Sequence, residues 1–350
     1  MDILFKPIWF DSLGAKSSCT LVRTGSHSIL IDPGVAIMHG GFPAPHEAKY
    51  RWYQEAYQEI LRASREADII VITHYHYDHF IDFERTIYYN KTILAKDPNM
   101  FINDSQRKRA LAFYEHLYGV YGIRLSEVME APRRIENIDP FSGITQALSK
   151  DFGDYNNRRK MLISKGIEWF KRRLSKWKHY RVIPELKASS IEVRFADGRT
   201  FTFGKLRLRF TRPLFHGIEF SRLGWIIGLT IEYNGWKLLY SSDVNGPIIE
   251  DYASWIISED PDIIILDGPM TYMLGYTLNK INLRRALDNA IRIIRETNAS
   301  LILYDHHLPR DPKFKERTKV VWEEARTRGI KLMTVAEYLG LMPAVLRYKT

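Results

Sequence analysis

The segment His74-Tyr75-His76-Tyr77-Asp78-His79 places three imidazoles and one carboxylate within six positions. Imidazole nitrogen and carboxylate oxygen are the donors that a catalytic divalent ion takes. A lone histidine is usually structural, but four ligand-type side chains at this density exceed what a histidine-rich surface loop requires. The segment therefore reads as a metal-binding motif. A chain leaving a strand can aim alternate side chains at one centre and then turn the next ones to a second. His74 and His76 would then serve one ion, and Asp78 and His79 another.

Such a motif has to be held by what surrounds it. Residues 67–73, ADIIVIT, form a continuous apolar run, the pattern of a strand buried on both faces, and His74 follows directly. Residues 3–9, 19–22 and 28–31 read as earlier strands, and the last ends in Asp32-Pro33-Gly34, a turn signal. Residues 47–65 read as a helix. Strands return at 191–195 and 200–203, flanking Asp197-Gly198 in the manner of a hairpin. Further strands are expected at 206–210, 225–233 and 236–240, the last two joined by Asn234-Gly235. Helices near 248–257, 281–295 and 312–327 alternate with strands at 262–266 and 301–304.

Composition narrows the class. Of 350 residues, 45 % are hydrophobic and 26 % charged, which suits a folded domain with a sizeable core and excludes disordered or collagen-like chains. Cys19 stands alone, so no disulfide can form within the chain, and a reducing, cytoplasmic setting is expected. Asp2, Lys6 and Asp11 interrupt the first apolar stretch, and no run is long enough for a bilayer, so no membrane partner is expected. The net charge is +10, and residues 101–190 carry 18 Lys and Arg against 10 Asp and Glu. This basic stretch reads as a helical insertion. Within it Ile163, Ile167, Phe170, Leu174 and Trp177 recur at helical spacing. Trp169, Phe170 and Trp177 lie among the charges, a combination that can bind single-stranded nucleic acid. Phe170 and Trp177 also fall on the apolar stripe, which favours core packing, with the charges as a solvated face.

The His-x-His-x-Asp-His motif after a strand resembles the signature of the metallo-β-lactamase superfamily. The resemblance spans roughly residues 1–100 and 191–340 and implies further ligands in order. Asp32 in ILIDPG matches an early aspartate that supports the site; His216 in PLFHG matches a third-motif histidine. Asp243 in LLYSSDVNG matches a bridging aspartate, and His306 or His307 in LILYDHHLPRD matches the last histidine. Phe80-Ile81-Asp82 stands where many family hydrolases carry glycine, a poor match to the glyoxalase II and transfer-RNA 3′-processing types. No cysteine occupies the second-metal position, unlike in true β-lactamases, and no flavin module is expected. The Asp305-to-Asp311 ending is similar to that of an archaeal branch of predicted metal-dependent hydrolases.

What the resemblance implies is an α/β fold, a four-layer αβ/βα sandwich, as a single domain over 1–350 with the insertion at 101–190. His74, His76 and His216 would hold one divalent ion, and Asp78, His79 and His306 or His307 a second, with Asp243 bridging. Strand-end position favours His306 as the ligand, because Asp305 matches Thr73 and His306 matches His74; His307 would then contact substrate or another ligand. Asp305, like Asp32, would support the ligands from behind. Zinc suits the histidine-rich set, and manganese and iron bind similar donors. The implied activity is hydrolysis of an anionic ester-type substrate (phosphodiester, lactone or thioester) by a hydroxide shared between two metals, with Asp78 holding the nucleophile or its proton. The anionic small molecule has nucleic acid as its rival: the alternatives are a nuclease or RNA-processing protein using the basic insertion, and a non-hydrolytic binding or redox protein on the same fold.

Overall fold

The continuous apolar runs become the central strands of two seven-stranded sheets. The computed structural model describes residues 3–348 apart from 137 and 189. The first sheet is built from β1 (Ile3–Phe10), β2 (Ser18–Thr24), β3 (Ser28–Ile31), β4 (Ile69–Ile72), β5 (Thr92–Ala95), β6 (Leu186–Ala188) and β7 (Ile191–Phe195), in the order β1-β2-β3-β4-β5-β7-β6. Strands β3, β4, β5 and β7 run parallel. The chain continues as the hairpin β8 (Thr200–Phe203) and β9 (Leu206–Phe210), then a two-stranded ribbon of β10 (Leu214–Phe215) and β11 (Trp225–Ile226). The second sheet is completed by β12 (Leu229–Tyr233), β13 (Trp236–Tyr240), β14 (Ile263–Asp267), β15 (Leu301–Asp305) and β16 (Lys331–Met333), in the order β16-β15-β14-β13-β12-β9-β8.

Side chains alternate across a strand, so each central strand serves two cores. Ile29, Ile31, Val71 and Leu94 of the first sheet share a core with Leu208, Leu229, Ile231 and Leu238 of the second. The intervening Leu30, Ile70, Ile72 and Ile93 pack in another core with Trp52, Ala56 and Ile60 of helix His46–Ser64. On the other side Ile265 and Leu303 face the opposing sheet, while Ile264 and Ile302 join Ala290 and Ile293 of helix Lys280–Glu296. The result is a four-layer αβ/βα sandwich, and burial on both faces explains why these strands read as unbroken apolar runs. Among the described residues, no helix is long and apolar enough to cross a membrane.

Three local readings change. Asp197-Gly198 is no hairpin turn: β7 and β8 lie in different sheets. The Asp197 carboxylate pairs with buried Lys96 and accepts the Asp97 amide at 2.6 Å, while the Gly198 amide donates to Thr211 at 2.8 Å, so the segment is spent on crossing between sheets. The true hairpin sets Phe203 opposite Leu206, with Gly204 and Lys205 at the turn. The run 225–233 divides into β11 and β12, because the Ile227 amide leaves the ladder to donate to Thr73 and the Gly228 amide donates to the Thr211 hydroxyl. Within the basic stretch, helix Asp104–Val120 buries Phe113, Tyr114 and Leu117 and acts as an outer-layer helix. Helix Tyr155–Trp177 instead crosses to the ribbon, where Phe170 and Trp177 meet Trp225.

Candidate metal centre

Nearly every chemically capable residue stands at a strand's end. Asp32 follows β3, His74 follows β4, Asp243 follows β13, Asp267 closes β14 and Asp305 closes β15. Parallel neighbours end on the same edge, so β3 with β4, and β13 with β14 and β15, deliver these residues together. The chain turns off sharply. Asp32, Ser242, Asn245 and His306 all take left-handed backbone angles (φ 47°, 52°, 51° and 61°), which non-glycine residues seldom adopt. Gly34 permits the closest approach: a β-carbon there would collide with the backbone of His79 and Phe80, so only glycine lets the turn after β3 lie against the motif loop.

The geometry gathers the residues into two adjoining clusters. In the first, His74 Nε2 lies 3.0 Å from His76 Nδ1 and 3.6 Å from Asp243 Oδ2, which is 3.0 Å from His216 Nε2. In the second, His79 Nε2 lies 3.2 Å from His306 Nε2 and 3.0 Å from Asp243 Oδ1. His306 Nε2 is 3.4 Å from the same oxygen and 4.0 Å from Asp78 Oδ2. Donor atoms of His74, His76, His216 and Asp243 all fall within 4.8 Å of one another, as do those of Asp78, His79 and His306. Asp243 therefore turns one oxygen to each cluster. Among the described residues its Oδ1 is buried without a hydrogen-bond partner, as is Nδ1 of His216. Ring nitrogens facing one another around an orphaned carboxylate oxygen fit a cation far better than they fit a hydrogen-bond network.

Behind the rings lie hydrogen bonds that fix their orientation. Asp32 accepts from the Thr73 amide (2.7 Å), the Thr73 hydroxyl (2.6 Å), the Tyr240 hydroxyl (2.8 Å) and His79 Nδ1 (2.8 Å). His306 Nδ1 lies 3.2 Å from Asp11 and 3.1 Å from the Ser17 carbonyl. His307 Nδ1 sits 2.8 Å from Asp267 and 3.1 Å from the Asn245 amide nitrogen. His76 is backed by Gln106, at 3.4 Å. Asp305 departs from the expected role: its carboxylate accepts from the amides of Ser12, His306 and Val335 and touches no imidazole. It pins the backbone that presents His306, whereas Asp32, Asp11 and Asp267 orient the rings. Tyr75 is buried away from the cluster, its hydroxyl on the Lys96 carbonyl, and Tyr77 is exposed under the Arg109 guanidinium.

Burial and charge divide the histidines. Burial, then the neighbouring His79 charge, hold His74 well below its ordinary pKa. Burial and His216 bring His76 down to about 3. Burial also opposes charge on His79, but Asp243 and Asp32 outweigh it and push its pKa up to about 10. His306 is raised in the same way, burial being overcome by Asp11 and Asp243. Asp78 and Asp243 stay ionised despite burial because His79 and His306 surround them. Burial and the Asp243 charge lift Asp267 to about 7.

His306 and His307 do not continue the strand with side chains on opposite sides. The left-handed turn at His306 brings both rings inward, with centroids 4.4 Å apart. His306 joins Asp78 and His79, and both histidines have donor atoms within 4.8 Å of Asp243. Arg310, which lies in the quoted ending but was assigned no role from sequence, is buried with its guanidinium on Asp11 and 3.5 Å from Asp78. Asp11 and Asp267 were also missed. Asp267 had a signal, a carboxylate ending an apolar strand just before Gly268; Asp11 directly follows β1, which runs in the same direction as β3 two strands away and so ends on the same edge, but in the sequence it reads only as a charge interrupting an apolar stretch.

A cavity of about 760 Å³ opens on both clusters through His76, Asp78, His216, Asp243 and His307. Helix Tyr155–Trp177 walls one side with Leu162 and Trp169. It is clamped to the His216 loop where Arg159 bonds Glu219 at 2.9 Å and Gly166 lies against Phe220, and Arg285 of helix Lys280–Glu296 holds the same Glu219 at 2.6 Å and Glu250 at 2.7 Å.

Two facing sheets with a His/Asp cluster at their strand ends, able to hold metal ions, define a metallo-β-lactamase-fold protein. The family model for the metallo-beta-lactamase superfamily matches residues 14–85. A UPF0282 protein of Methanopyrus kandleri is 30 % identical over 347 residues, covering 95 % of this chain and 93 % of that one. A UPF0282 protein of Methanocaldococcus jannaschii is 30 % identical over 346 residues, covering 95 % and 90 %. The solved metallo-beta-lactamase fold protein YhfI from Bacillus subtilis matches at 12 % identity with a TM-score of 0.43, covering 95 % of this chain and 96 % of that one. The chain belongs to the UPF0282 family within the metallo-β-lactamase superfamily.

Proposed function

We propose that this protein is a hydrolase that uses two divalent ions, zinc foremost, to open an anionic ester-type substrate. The observation that carries the reading is Asp243, whose two oxygens face two separate clusters of imidazole nitrogens, one oxygen lacking any other partner. His74, His76 and His216 would hold one ion with Asp243 Oδ2; Asp78, His79 and His306 would hold the other with Asp243 Oδ1. A bound pair supplies activation of water near neutral pH and polarisation of the scissile group. The chain supplies the rest. Asp78, kept ionised at the cavity wall, accepts a hydrogen bond from the attacking water. Asp267 turns His307 so that its imidazole, held neutral by burial and the Arg310 charge, meets the substrate from the cavity wall. Asp32 and Asp11 fix the rings of His79 and His306 before substrate arrives.

Elemental analysis of protein purified without chelators is expected to give about two divalent ions per chain, matching the two clusters. A screen of phosphodiester, lactone and thioester substrates is expected to show turnover that is lost with chelation and restored by zinc. A metal content near zero after remetallation would overturn the assignment.

A further inference from the structure

Resting on the hydrolase reading, we infer that the ester this site opens is amphiphilic: an anionic head joined to an alkyl or acyl tail. The cavity is much larger than the cluster needs, about 760 Å³. Its polar lining gathers around the metal-type residues and Arg310. The remainder is mostly apolar, with Glu219, Ser221 and Thr277 interspersed and Lys165 and Arg222 at the mouth. Ile218, Met270 and Met273 are half-buried and pack on Ile248 and Leu278 in a small cluster separate from both main cores. A side chain that the cores do not require, and whose free face lines a cavity, is available to a ligand. Methionine suits a flexible tail, being unbranched and adaptable. Pockets of this size that hold organic ligands have mostly apolar walls and a few placed polar groups.

The mouth continues the pattern. Leu162 and Leu223 line it while remaining 48 % and 46 % exposed. Lys165 and Arg222 stand next to them. Apolar side chains with a cationic fringe suit an entering tail whose head is anionic. A polynucleotide would instead need a track of cations and stacking rings along the wall. Here the rings of Trp169, Phe220 and Tyr272 are outnumbered by five aliphatic side chains and two methionines.

The test uses the metal-loaded full chain and n-alkyl phosphates from methyl to octyl, kept below their micellar concentrations, with Kd measured by calorimetry. Kd is expected to fall about fourfold for each added methylene until the tail fills the pocket. Equal Kd for methyl and octyl phosphate, or no binding of any chain length at millimolar concentration, overturns the inference. The double variant Met270→Ser, Met273→Ser is expected to flatten the dependence on chain length while methyl phosphate affinity stays within about twofold. An unchanged slope in that variant also overturns it, since the tail then binds elsewhere. Failure of the underlying hydrolase reading is read separately, from bound metal near zero and no turnover of any ester.

Discussion

The two clusters share Asp243 but are built on opposite electrostatic plans. The first, His74, His76 and His216, has neutral surroundings: Thr73 and Gln106 lie behind two of its rings, and His216 Nδ1 has no partner. The second, Asp78, His79 and His306, is backed by two further carboxylates, Asp32 behind His79 and Asp11 behind His306. Without an ion, His74 and His76 of the first are kept unprotonated, whereas His79 and His306 of the second hold imidazolium charge to balance its carboxylates. The lesson is that one half is ready to accept a cation at neutral pH and the other must first give up protons. The halves also differ in support. His306 directly follows β15 and His79 sits in the loop after β4 against Asp32, while His216 follows the short ribbon strand β10 and opens a loop braced by helix Tyr155–Trp177.

The largest test of this contrast removes what the halves share. Asp243→Ala is expected to abolish hydrolysis and to weaken both ions, well beyond the roughly 10–100-fold that loss of a supporting residue brings. If the variant keeps one ion at full affinity, Asp243 serves a single cluster and the two-sided reading fails. Next comes the pair at the ending. His306→Ala is expected to lose one ion and keep the other, and His307→Ala to keep both but lose activity. Metal stoichiometry of the two variants, measured side by side, decides between them. The reverse result would make His307 the ligand, and two ions in both variants would move the last ligand elsewhere.

Supporting residues should act on one half only. Asp32→Asn is expected to weaken one ion about 10–100-fold, since it turns the strongest acceptor behind His79 into a weaker one. Gln106→Ala, behind His76, should weaken the other by less than tenfold. Equal losses for both ions in either variant would show that the halves are not independent. Proton release gives a gentler measure. His79, with a pKa near 10, carries a proton at neutral pH, and an ion taking its Nε2 expels it. Apparent affinity for the second ion should therefore rise with pH between about 6 and 9, while the first changes little. Titration calorimetry in buffers of different ionisation enthalpy reads the protons directly. No release would mean that the second cluster is already neutral.

Much of this was legible in the sequence because strands buried on both faces write themselves as apolar runs, and ligands follow those runs. ADIIVIT before His74 and LILYD before His306 are examples. The order of Asp32, His216 and Asp243 followed from the resemblance, not from spacing, and the structure draws them around one centre. What escaped depends on long-range pairing. Asp11 meets Arg310 across almost the whole chain, and no local pattern announces it. Asp197-Gly198 carries a hairpin's signal but is recruited by Lys96 and Asp97, residues 100 positions earlier. The cavity wall was hidden for the same reason, since Ile218, Ile248, Met270 and Leu278 converge from separate loops and elements.

The smallest expected effect isolates the brace under His216. A β-carbon on Gly166 would come within 2.5 Å of Phe220 Cβ, so Gly166→Ala pushes the helix and the His216 loop apart. Such overpacking costs about 1–3 kcal/mol, and alanine's better helix propensity returns about 1 kcal/mol. The net loss of stability should be about 1 kcal/mol, read as a modest fall in the midpoint of denaturant unfolding. Because the displaced loop carries His216 alone among the candidate ligands, the first ion should weaken by less than tenfold and the second should not change. An effect on the second ion equal to that on the first would show that the helix braces the whole centre, and the contrast in support between the two halves would be withdrawn.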